Sequence, residues 1–76
     1  KEAMFETMML GLRMNRGVSG TDFERRFGTS VRAVYEAPLE RAVRNGLGQW
    51  TADGGYRLTE KGLLLENAVA VELMDC

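Results

Sequence analysis

The chain has 76 residues, 45% of them hydrophobic, with ten basic and eleven acidic side chains and a net charge of −1. Such a chain is one small domain that buries only about 60% of its unfolded surface. One cysteine and no histidine exclude an internal disulfide, a zinc site built from cysteines alone or from paired cysteines and histidines, and the commonest general base.

The charge balance argues against a nucleic-acid module, which usually carries a basic surplus. No uninterrupted apolar run approaches the roughly 20 residues of a membrane span, and no signal-peptide pattern is visible. The chain opens on Lys1, and helical patterning starts almost at once. This reads as a fragment cut from a longer protein.

The first helix is expected over Glu2–Met14. Met4, Phe5, Met8 and Leu12, with Met9 and Leu10, recur at helical spacing, leaving Lys1, Glu2, Glu6 and Arg13 for solvent. Gly11 weakens such a helix by about 1 kcal/mol relative to alanine, which marks a close approach by another chain segment. Gly17 ends the element in the left-handed conformation, and Val18 adds a short strand beside a later hairpin.

Thr21-Asp22-Phe23-Glu24 fits a capping box, Thr followed three residues later by Glu. The second helix is therefore expected from Asp22 to Phe27, with Phe23 and Phe27 pointing the same way and Gly28 as its stop. Ser30 caps a third helix whose apolar positions Val31, Val34, Tyr35, Leu39, Ala42 and Val43 keep a 3.6 period across Pro38. The proline predicts a kink or a one-residue break near Ala37, and Asn45-Gly46 closes the helix.

Leu47–Trp50 and Tyr56–Leu58 flank a tip at Asp53-Gly54-Gly55, which supplies the positive-φ positions of a tight hairpin. Thr59 caps a last helix from Glu60 to about Met74. The fold class is mainly α with a small β-hairpin, winged-helix-like, four helices plus wing, in a single domain over residues 1–76.

Chemistry-bearing residues are few. The five methionines (Met4, Met8, Met9, Met14 and Met74) read as core packing, not as metal or haem ligands, because four lie in the first helix at core spacing. Cys76 stands at the terminus, with no organised cation to lower its pKa, and is read as inert. Glu36 and Glu40 sit among Arg32, Arg41 and Arg44, where Glu40 and Arg44 have the favourable order for a surface ion pair. Trp50 and Tyr56 fasten the hairpin to its helices and are read that way in preference to stacking on bases. No catalytic, cofactor-binding or metal-binding residue is expected.

The run Glu6-Thr7-Met8-Met9-Leu10-Gly11-Leu12-Arg13, followed by Gly17-Val18, resembles the start of the C-terminal domain of the oxygen-independent coproporphyrinogen III oxidase family. That family includes the radical SAM haem chaperones of the HemW type. The resemblance continues through Phe23, Phe27-Gly28, Tyr35, Leu39 and Gly46-Leu47. It ends on Arg57-Leu58-Thr59-Glu60-Lys61-Gly62, Leu65, Asn67 and Val69. It implies a cytoplasmic parent whose upstream radical SAM barrel holds a [4Fe–4S] cluster and S-adenosylmethionine, with haem in chaperone members. None of the cluster cysteines lies in this chain, so no cofactor is expected here.

The last helix is apolar nearly all round. Leu65, Val69 and Leu73 form one stripe, and Leu64, Ala68 and Val71 form a second. A surface helix needs only one. Leu64, Ala68 and Val71 are therefore expected to face outward and to dock on the parent's barrel, or on a second copy as a homodimer of the isolated fragment. The alternative is a winged-helix DNA-binding or protein-interaction module of a transcriptional regulator. The small basic surplus of the third helix makes nucleic acid the weaker partner.

Overall fold

The computed structural model describes residues 2–74. Lys1 and Cys76, read above as solvent-facing and inert, lie outside the described residues. The chain builds α1 (Glu2–Leu12), α2 (Gly20–Phe27), α3 (Val31–Arg44), β1 (Gly48–Trp50), β2 (Tyr56–Leu58), α4 (Glu60–Leu64) and α5 (Glu66–Met74). The mainly helical architecture with one antiparallel hairpin is as the sequence predicts.

β1 and β2 pair with Gly48 opposite Leu58 and Trp50 opposite Tyr56. Val18 joins them from the α1–α2 connection: its N–H donates to the Tyr56 carbonyl at 2.7 Å and its carbonyl accepts from the Tyr56 N–H at 3.1 Å. The expected Gly11 contact is this same segment, since a Cβ added at Gly11 would sit 2.5 Å from Val18 Cγ2.

One apolar core runs through every layer: Met8 and Leu12 of α1, Phe23 of α2, Tyr35 and Leu39 of α3, Tyr56 and Leu58 of β2, Val69 and Leu73 of α5. Phe23 and Phe27 share a face, with ring centroids 4.8 Å apart. Tyr56 is fully buried, and its hydroxyl donates to the Leu39 carbonyl at 2.8 Å.

Three expectations are corrected. The α2 cap is Ser19, not Thr21: Ser19 Oγ accepts from the Asp22 N–H, and the helix starts at Gly20. The α3 distortion falls at Tyr35 (φ −122°, ψ 22°) and not near Ala37. Pro38 lacks the N–H that would bond the Val34 carbonyl, and its ring crowds that group, so relief comes in the peptide unit just after Val34. The last helix is two helices, broken at Leu65 (φ −113°, ψ 29°), whose N–H is shared between the Lys61 and Gly62 carbonyls. α4 is held by the Thr59 cap and by Gly62 packed on the Leu47 carbonyl. The chain turns at Leu65 to lay α5 against α1 and α3.

A candidate docking face on the last helix

The break changes which apolar side chains meet the core. Val69 and Leu73 are buried, but Leu65, expected to continue their stripe, is 45% exposed. Leu64 is 82% exposed and Val71 57%, and Ala68 is exposed as well. Met74, one turn beyond Val71, extends the same face and is also open. Periodicity alone missed Leu65 and Met74, although Met74 follows Val71 at i+3.

Both acidic side chains of α5 reach sideways. Glu66 pairs with Arg13 at 3.4 Å, and Glu72 takes two bonds from the Arg41 guanidinium at 2.7 and 3.1 Å. The outward face itself carries no charge. Beside it lies a cleft of about 330 Å³ between α3 and α5, lined by Pro38, Ala42, Leu47 and Ala68 among others.

The wing side is organised in the opposite way. Trp50 is half-buried; its indole N–H donates to Glu40 at 2.8 Å and its ring meets Tyr56 edge-on at 4.9 Å. The Arg32 guanidinium lies 4.1 Å above that ring while bonding Glu36 and Glu40. Glu40 thus bonds Arg32 and Trp50, whereas the sequence spacing points to Arg44. The indole N–H draws it toward the wing.

At the wing tip the Asp53 carboxylate accepts from Thr51 Oγ1 (2.7 Å), the Gly55 N–H, Ser19 Oγ and the Thr21 N–H. The Thr51 hydroxyl first, and then the backbone N–H groups of Thr21, Gly55 and Gly20, hold its pKa well below the usual carboxylate range. Asp53 therefore acts as a second cap on α2. Sequence reasoning missed this pairing, though Ser19-Gly20-Thr21-Asp22 fits the Ser-x-x-Asp form of the capping signal as well as the run that follows it.

Among the described residues no group of acidic or thiol side chains is placed to hold a metal ion, and no helix is long and apolar enough to cross a membrane. A family model described as the HemN C-terminal domain matches residues 1–65, and the chain belongs to that family. No match was found among curated proteins or solved structures. The matched segment stops at the Leu65 break, so α5 is read on its own geometry.

Proposed function

We propose that the chain is the non-catalytic C-terminal accessory domain of an oxygen-independent coproporphyrinogen III oxidase-like radical SAM protein. On this reading the parent is cytoplasmic and of the haem-chaperone type, and the outer face of α5 packs on its catalytic barrel. The cluster and S-adenosylmethionine belong to that barrel, and this chain supplies a surface.

The observation that carries the reading is the exposure of Leu64 at the end of α4 and of Ala68 and Val71 on α5. Asn67 is an exposed polar neighbour on α5 and no charge lies among these residues, where a helix meeting only water would carry mostly polar side chains. α5 has nine residues, about 13 Å of helix. A contact confined to so short a helix falls short of the roughly 1,200 Å² of buried surface expected of a stable free-standing interface. A tethered partner supplies the effective concentration that so small a face needs, which favours the rest of the same chain over a second copy. A nucleic-acid role has less support, since Arg32 and Arg41 of α3 are already engaged by Glu36, Glu40 and Glu72.

Hydrogen exchange tests the reading. The α5 amides are expected to exchange more slowly in the intact parent than in the 76-residue chain, and Val71→Glu in the parent is expected to remove that difference. Equal exchange of α5 in both proteins rejects the docking.

A further inference from the structure

A second apolar exposure lies on α1, outside the residues assigned to docking. Leu10 is 67% exposed and Met14 50%. At 100° per residue, Ala3, Glu6 and Leu10 (i, i+3, i+7) fall on one side of the helix, Arg13 stands in the turn one residue past its end at Leu12, and all four are exposed. Glu2 and Glu6 make no ion pair or hydrogen bond among the described residues. Arg13 and Arg16 follow the helix end, where Arg13 makes one exposed 3.4 Å contact to Glu66.

Acid at the start of a helix and base at its end also complement the helix's own dipole. The dipole gives no reason for a leucine at the centre of the same face. Leu10 lies about 6 Å along the axis from Glu6 and about 4.5 Å from Arg13, at 1.5 Å per residue. A two-fold axis near Leu10 therefore sets Glu6 of one copy opposite the Arg13 end of the other, and repeats that pairing by symmetry. The face is complementary to itself only when run antiparallel; a parallel pairing would set acid on acid.

We propose that the outer face of α1 is a self-association surface on which a second copy of this chain packs α1 antiparallel, Leu10 against Leu10, with Glu6 facing Arg13 at both ends. Two eleven-residue helices meet over about 16 Å, so the dimer is a weak one, dissociating on the order of 0.1–1 mM.

Sedimentation equilibrium of the 76-residue chain up to millimolar concentration tests this. The chain dimerises, and both Glu6→Lys and Arg13→Glu weaken the dimer about tenfold, because each reverses two pairs. A one-to-one mixture of the two variants recovers the original association. In the mixed dimer one end sets the new lysine of the first variant against the new glutamate of the second, and the other end keeps the native pair. Leu10→Glu, at an exposed position, abolishes association and keeps the circular dichroism spectrum, which covers the case of Arg13→Glu folding poorly. A chain monomeric at 1 mM overturns the proposal. So does a dimer lost on Val71→Glu but not on Leu10→Glu, or a mixture of folded charge variants that fails to associate.

Discussion

The hairpin side and the helical side of this domain handle polar groups in opposite ways. At the wing tip and at Trp50 polar groups are engaged internally: Asp53 takes four donors, Glu40 is shared by Arg32 and Trp50, and the Arg32 guanidinium covers the indole ring. On α5 the outward residues Ala68, Val71 and Met74 carry no charge, and on α1 Leu10 meets solvent between Glu6 and Arg13. A surface that has spent its donors and charges on itself has little left for a ligand, whereas an apolar open face loses water favourably when covered. In this chain the element that resembles a recognition wing is bonded to α2 and α3, and the plain helices carry the open apolar side chains.

The sharpest way to break this contrast is in the core that joins the two sides. Leu39 of α3 is fully buried on a helix that packs against both the wing and α5, and Leu39→Ala should cost about 3 kcal/mol, read as a lower urea midpoint with both sides melting together. If the helical ellipticity and the Trp50 signal separate, the two sides are not one cooperative unit.

A smaller effect is expected at Tyr56. Tyr56→Phe removes the bond to the Leu39 carbonyl and should cost about 1 kcal/mol. Burial, with the nearby Glu40 charge adding to it, pushes the Tyr56 phenol up to about 12. The folded state then keeps its proton while the unfolded chain gives it up near pH 10. Unfolding releases a proton in this window, so stability falls as pH rises from about 10 to about 12. Tyr56→Phe should lack that part of the slope.

The smallest effect belongs to the open face. Leu64→Gln should leave the urea midpoint of the isolated chain within about 0.5 kcal/mol of the original. A larger loss would mean that Leu64 supports the fold and that the contrast between the two sides is overdrawn.

What could be read from the sequence was governed by local chemistry. Gly17 and Gly28 take the left-handed conformation, Ser30 and Thr59 accept from the first free N–H groups of α3 and α4, and the Asp53-Gly54-Gly55 tip turns the hairpin. What could not be read depended on distant groups. Ser19 and Thr21 both stand three residues before an acid, and the choice falls to Ser19, whose hydroxyl also donates to Asp53, 34 positions away. No glycine or proline marks the break at Leu65, which comes from seating α4 on Leu47 and α5 on α1 and α3. Of the face on α5, the apolar period was legible, but the exposure of Leu65 was not, because it follows from that break.

The single tryptophan of the chain lies at the junction of wing and α3, stacked under a cation and bonded to a carboxylate. Its emission is therefore a built-in gauge of the wing's seating on α3. Both the outer face of α5 and the ridge on α1 belong to other elements. A fluorescence titration would report a folded domain and remain silent while either surface filled. Binding work on this domain calls for a dye placed on the helices, or for a label-free readout of mass.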